Sequence, residues 1–462
     1  MWFLPPTRPS RRLVYFQAAA AVFVILVIAL TSKIYANVSS GLPLYTFRTF
    51  DRLPPLYSRF HAYELQLPQH DRNSTKETQE VKYLWIANHV RGVGWGNVMQ
   101  ELLLNHYLAY RAGRSFVFNN FTWDESDAPY SYFNAFSGMP IPSRIPLSAI
   151  IRGPTVGASM TSDSQTPLAV KKEYWDEICP NPKTISNADI IASFDRPPTA
   201  KMLIERWAEV LRSTEDRIFG YPERLLDVWP TFSESPIMTE LGWSSLVELA
   251  FDQNRETFAP TATIEPYLTS TQIMSNAERY PIISGLLVIH VRRGDFDEHC
   301  KRLIHWGSGY VAYNSFPQLS DRLEVPSDAD EQLKTAIYWP HCFPGIAEIA
   351  RKVDEVRRSS AGQGLRHIYI MTNGPSAWVH ELKTTISGIA HWDTISSSRD
   401  LAFNDEQEYV KQAVDMLIGQ RAQVFIGNGV RTLSVPRFSS LTGQVVMLRM
   451  ANGIDPSRNR FF

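Results

Sequence analysis

The sequence predicts an α/β chain of two Rossmann-like domains facing a cleft, preceded by a single N-terminal transmembrane helix, and three observations carry that prediction. Short apolar runs alternate with amphipathic helical stretches from Lys82 onward, the pattern of parallel strands joined by helical crossovers. That pattern resets near residue 281, after an irregular helical middle. Leu13–Leu30, LVYFQAAAAVFVILVIAL, is apolar except for Gln17 and has about the minimum length for a helix crossing a bilayer. A chain of 462 residues also exceeds one ordinary core, so two domains of about 150–200 residues are expected.

Arg8, Arg11 and Arg12 precede the apolar run and only Lys33 follows closely, which places the N-terminus in the cytosol. The expected order is a cytosolic tail (1–12), a signal-anchor helix (13–36), a stem (37–80), an N-terminal domain (81–280) and a C-terminal domain (281–462). A cleaved signal peptide is the rival. Its apolar region is usually shorter, and Tyr35-Ala36-Asn37 is a mediocre cleavage site, so an uncleaved type II anchor with a lumenal body is the preferred reading.

Two further features suit a lumenal body. Three Asn-x-Ser/Thr acceptors occur, at Asn37, Asn73 and Asn120, the first too near the membrane to be modified. Of the three cysteines, Cys300 and Cys342 flank one stretch of the C-terminal half and could pair in an oxidising compartment, leaving Cys179. Three buried free thiols are the equal alternative, and the spacing suits no metal site. The balance of 46 Lys and Arg against 47 Asp and Glu, with no basic block, argues against a nucleic-acid partner.

The stem is polar and broken by prolines. YLWIANH (Tyr83–His89) then reads as a buried strand, followed by glycine-rich RGVGWGN and a helix whose stripe is Met99, Leu103, Tyr107 and Tyr110. Arg114–Asn119 is a second strand. The middle contains the amphipathic helix AKMLIERWAEVLRS and another helix over 237–257. In the second unit the expected elements are the strand Leu286–Val291, the helix Ala347–Arg358, the strand His367–Thr372, a helix around Tyr409–Gln420, and strands at Gln423–Gly427 and Val445–Met450.

Three segments carry chemistry. In His290-Val291-Arg292-Arg293-Gly294-Asp295 an apolar strand delivers a histidine and two arginines at its carboxyl end, where open α/β sheets bind ligands. Guanidinium forks grip phosphate oxygens, so an anionic ligand such as a diphosphate is one reading; an Arg–Asp pair closing a turn is the other. Gly92-Val93-Gly94-Trp95-Gly96-Asn97 lies between a strand and a helix start, where glycines admit a ligand and the helix favours negative charge. It has neither the dinucleotide nor the P-loop register. In Phe425-Ile426-Gly427-Asn428-Gly429-Val430-Arg431-Thr432-Leu433-Ser434 a strand runs into a polar turn, and ten residues upstream Asp415 sits among apolar neighbours, where a carboxylate needs a partner or a ligand.

Together these blocks resemble the protein O-fucosyltransferase family and, more distantly, the α1,6- and α1,2-fucosyltransferases; the chain looks like a fungal-type member of that superfamily. The resemblance spans roughly Tyr83–Asn452, with nothing recognised between about 120 and 280. It implies a GT-B-like fold and an inverting transferase that uses GDP-fucose as donor, needs no divalent metal or other cofactor, and modifies a glycoprotein or glycan acceptor in the Golgi or endoplasmic reticulum. It further implies that Arg292 holds the β-phosphate and assists its departure, with Arg293 beside it. By the same resemblance His290 contacts the nucleoside, Asn97 lies beside the sugar with Gly94 and Gly96 giving backbone access, and Asp415 reads guanine. The nucleotide-binding turn corresponds to Arg431, Thr432 and Ser434, the first two standing where serines are usual. Asn373 stands where the family carries an aspartate. Glu101, Asp124 and Glu298 are candidates for a general base by location alone.

Overall fold

The structure, a computed structural model, describes residues 53–71, 81–87, 89–131, 140–163, 165–195, 198–213, 226–260, 275–294, 296–305, 309–310, 312–326, 328–429 and 441–462. The strands that frame the site are β1 (Tyr83–Leu84), β2 (Ser115–Phe118), β3 (Val170–Lys171), β4 (Ile283–His290), β5 (His367–Met371), β6 (Thr394–Ser397), β7 (Ala422–Gly427) and β8 (Asn459–Phe461). The main helices are α1 (Ser58–Leu65), α2 (Trp95–Arg111), α3 (Ala200–Ser213), α4 (Ser245–Gln253), α5 (Phe296–His305), α6 (Glu331–Cys342), α7 (Ile346–Arg358), α8 (Ser376–Ser387), α9 (Lys411–Gln420) and α10 (Leu441–Ala451).

The strands form two parallel sheets on either side of residue 280. The first has the order β1-β2-β3. The second has the order β6-β5-β4-β7-β8, every pair parallel. The chain therefore winds outward from β4 through β5 to β6, then returns to the other side of β4 for β7 and β8. This reversal puts a topological switch point between β4 and β7.

Alternation along β4 explains why helices cover both faces. Leu287, Ile289 and Val291 pack with Ile349 and Val353 of α7 and Leu382 and Ile386 of α8. Leu286 and Val288 face the opposite way, into a core shared with Val414 and Leu417 of α9 and Val445 and Val446 of α10. That core continues into Met99, Leu103 and Tyr107 of α2, the stripe read from sequence, so Pro54–Phe462 forms one compact unit.

Three local expectations give way. Val445–Met450 is helical, inside α10, because this segment is buried on every side and has no polar face to betray a helical period. The edge strand is instead β8, at the end of the chain. Part of the expected stem is folded: α1 inserts Glu64 into the body, where the carboxylate binds Lys171 Nζ and accepts the Ser148 N–H at 2.8 Å. The expected helix over 237–257 is interrupted by the two-residue strand Gly242–Trp243 before α4. Among the described residues no helix is long and apolar enough to cross a membrane, and the expected anchor at 13–36 lies outside them.

Candidate functional site

The carboxyl ends of β4 and β7 meet at the switch point, where the start of α10 packs on His290 and the start of α2 packs on α10. His290 ends β4 at 7% exposure, with Nδ1 2.6 Å from Thr442 Oγ1 in the first turn of α10. Gly427 makes this approach feasible: a Cβ there would lie 2.5 Å from Thr442 Cγ2. Burial, with the neighbouring Arg292 charge in support, lowers the His290 pKa to about 3. The imidazole is therefore neutral at physiological pH, able to share a hydrogen bond but not to supply charge.

Arg292 and Arg293 separate because successive residues of an extended chain point to opposite sides. Arg292 is half-buried on the His290 side, close enough for its charge to depress the histidine. Arg293, expected beside the phosphate with Arg292, lies on the opposite side of the chain from it. Its guanidinium lies between the Phe343 and Trp378 rings, 4.2 Å from each centroid, and donates to the Pro344 carbonyl. Burial pushes its pKa down to about 10. Its structural job is to tie the end of β4 to the segments before α7 and at the start of α8. Gly294 then turns the chain at φ 72°, a left-handed conformation that favours glycine.

Two asparagines fix the backbone of this pair. Asn428, directly after β7, accepts the Arg292 N–H at 3.1 Å and donates to the Cys342 carbonyl at 2.8 Å. Asn373, after β5, accepts the Arg293 N–H at 2.7 Å and donates to the Arg293 carbonyl at 3.0 Å. An aspartate at 373 could not make the second bond, which accounts physically for the amide here. Cys300 and Cys342 are joined as a disulfide linking α5 to α6, so the cross-link stands one hydrogen-bonded residue from Arg292.

The glycine loop enters from the N-terminal half. Gly94 precedes α2, and the Trp95 N–H donates to Gln412 Oε1 of α9 at 2.9 Å. A Cβ at Gly94 would lie 3.1 Å from that oxygen. Gly96 is buried, and Asn97 is 8% exposed with no partner for Oδ1 among the described residues. Gln444 of α10 donates to Gln100 of α2 at 3.1 Å, so the start of α2 is bound to both helices that flank the switch point.

Asp415 lies three residues beyond Gln412 on α9. Its carboxylate accepts from Tyr369 Oη and, at 3.0 Å, from Ser398 Oγ. Burial raises its pKa to about 6, against the pull of those bonds and of Lys411. The partner anticipated from its apolar setting is thus a Tyr–Ser pair, from the middle of β5 and directly after β6. Arg431, Thr432 and Ser434 lie outside the described residues.

Asp124 accepts the Ser126 N–H at 2.9 Å in a turn, and Glu298 pairs with Lys301 on the exposed side of α5. Glu101 differs: burial lifts its carboxyl to about 7. Asn73 lies outside the described residues, as does Asn37. Asn120 is 6% exposed and its Oδ1 accepts from Lys171 Nζ at 2.7 Å, a buried structural role in place of an accessible glycan acceptor. Asp295-Phe296-Asp297 and Asp328-Ala329-Asp330 have an Asp-x-Asp spacing. Asp330 caps α6 by accepting the Leu333 N–H at 2.7 Å, and Asp295 lies outside the described residues. Among the described residues no group of three or more His, Cys, Asp or Glu gathers as a metal site.

Fold and site define a doubly wound α/β protein with a half-buried arginine and a neutral histidine at the switch point. Neither a protein-family model nor a curated protein matches the sequence. Among solved structures it is similar to POFUT1 in complex with GDP-fucose, at 13% identity and TM-score 0.43 over 82% of this chain and 97% of that one. A second crystal form of that complex gives TM-score 0.45 at 13% identity, over 83% and 98%. NodZ alpha-1,6-fucosyltransferase soaked with GDP-fucose follows at 11% identity and TM-score 0.33, over 80% and 92%. Identity this low leaves the chemistry to be read from this chain's own residues.

Proposed function

We propose that the chain is a glycosyltransferase that moves fucose from GDP-fucose to a hydroxyl of a protein or glycan, with inversion and without a divalent metal. The observation that carries this reading is Arg292: a guanidinium at the switch point, beside neutral His290, on a backbone clamped by Asn428. When the sugar leaves, negative charge grows on the diphosphate, and a fixed cation aimed there lowers the barrier without reorganising. His290, held by Thr442, would orient the nucleoside. Asn97, with an uncommitted Oδ1, would meet the sugar from α2, and Asp415 would accept from the guanine edge. The fungal-type kinship read from the three sequence blocks belongs to the same proposal.

The proposed setting is a single-pass type II protein with its catalytic part in the lumen of the Golgi or endoplasmic reticulum. The apolar run at 13–30 behind three arginines and the Cys300–Cys342 bond support it. Titrating the full chain with GDP, GDP-fucose, GDP-mannose and UDP-sugars by calorimetry tests the donor, and a radiolabelled GDP-fucose assay with excess EDTA tests the metal. Tight GDP and GDP-fucose binding with EDTA-resistant turnover is expected. Preference for a UDP-sugar, or activity lost to EDTA and restored by a metal, contradicts the proposal; GDP binding without turnover points to a non-catalytic relative.

A further inference from the structure

Glu101 lies on α2 four residues after Asn97 and seven after Gly94, so the three share one face of the helix that delivers the glycine loop to the switch point. Its side chain is half-buried and oriented by two donors. Oε2 accepts the Val90 N–H at 2.9 Å, and Oε1 accepts from Asn105 Nδ2 at 3.3 Å. Among the described residues no ion pair offsets its burial, and no charged side chain figures in its titration. The charged groups of the adjoining loop engage one another: Arg91 pairs with Glu125, and His89 responds to Arg91, Glu125 and Lys172. Burial therefore sets the carboxyl near neutrality, where a group can both take and release a proton. For holding the Val90 N–H alone a glutamine would serve, without the cost of burying a charge. What the carboxylate adds is the capacity to accept a proton.

We propose that Glu101 is the proton acceptor for the attacking hydroxyl, an inference that rests on the transferase reading of the site. As the hydroxyl oxygen bonds to the anomeric carbon, its proton passes to the Glu101 carboxylate. The bond from that carbon to the β-phosphate oxygen breaks, and its electron pair leaves with the nucleoside diphosphate against Arg292. Glu101 then returns the proton to water. The carboxylate thus serves from the N-terminal half while the cation serves from the C-terminal half.

The test uses the full chain with GDP and GDP-fucose, water standing as the acceptor and GDP release as the readout. Glu101→Gln retains an acceptor for Val90 and is expected to keep GDP affinity within about twofold while turnover falls by about 10²–10⁴-fold. In the wild type, kcat at saturating donor should fall on the acid side of about pH 7, a condition that removes the effect of Asp415 on donor binding. Glu101→Ala should regain turnover with added formate. Glu101→Gln turning over within threefold of wild type, or losing GDP affinity and turnover in parallel, overturns the assignment, as does a flat wild-type kcat between pH 6 and 8. A wild-type chain that does not bind GDP removes the transferase reading itself, and the inference with it.

Discussion

Replacing Asp415 by asparagine should move stability and ligand affinity in opposite directions. The wild-type carboxyl titrates at about 6 in the folded chain against a usual 3.8. Two units correspond to about 3 kcal/mol, the cost of holding the charge in its buried setting at neutral pH. The sign follows from proton binding. Between the unfolded and folded values the native state holds more protons, so the cost is absent below about pH 4, grows through the window and is complete above about pH 6. Asparagine keeps an acceptor for Tyr369 Oη and Ser398 Oγ and removes the charge. Asp415→Asn should therefore raise the melting temperature by about 3–5 °C at pH 7.5, with the gain shrinking towards pH 4. If the carboxylate reads guanine, the same variant should lose GDP affinity by at least about tenfold. Differential scanning calorimetry across pH and GDP titration on the same preparations measure both. A variant less stable than wild type at pH 7.5 would refute the buried-charge reasoning, and unchanged GDP affinity would refute the guanine role.

Arg293→Ala should destabilise the fold by on the order of 3 kcal/mol, since the guanidinium between Phe343 and Trp378 is lost together with its bond to Pro344. GDP affinity of the folded fraction should stay within a few-fold, as thermal melts with and without GDP will show. Replacing Cys300 and Cys342 by serine opens a loop of 42 residues, worth about 4 kcal/mol in the chain-entropy treatment, to be read from urea unfolding of the paired proteins.

The parts of the site legible in the sequence are those carried by local pattern. The continuous apolar run of β4 announces a buried parallel strand, and the residues that end it, His290 and Arg292, fall at the sheet's ligand-binding edge by topology alone. The helical stripe of α2 is equally plain because the polar residues Glu101 and Asn105 fall between its members. Long-range choices are not written locally. Thr442 lies 152 residues from the histidine it holds, and only the close approach at Gly427 brings them together. Asn373 and Asn428 look like turn residues until the backbone of Arg292 and Arg293 is seen between them. The sequence offers two adjacent arginines as equals, while strand alternation sends one to the site and the other into an aromatic sandwich. In α10 burial on all sides erased the period that distinguishes helix from strand. In α1 a short helix carries a buried Glu64 whose partner, Lys171, is remote in the chain.

The central claim is that the Arg292 guanidinium neutralises the departing diphosphate, and single-turnover release of labelled GDP from GDP-fucose by Arg292→Ala addresses it directly. Turnover should fall by at least about a hundredfold, with a melting temperature close to that of wild type. A folded variant that releases GDP at the wild-type rate would contradict it.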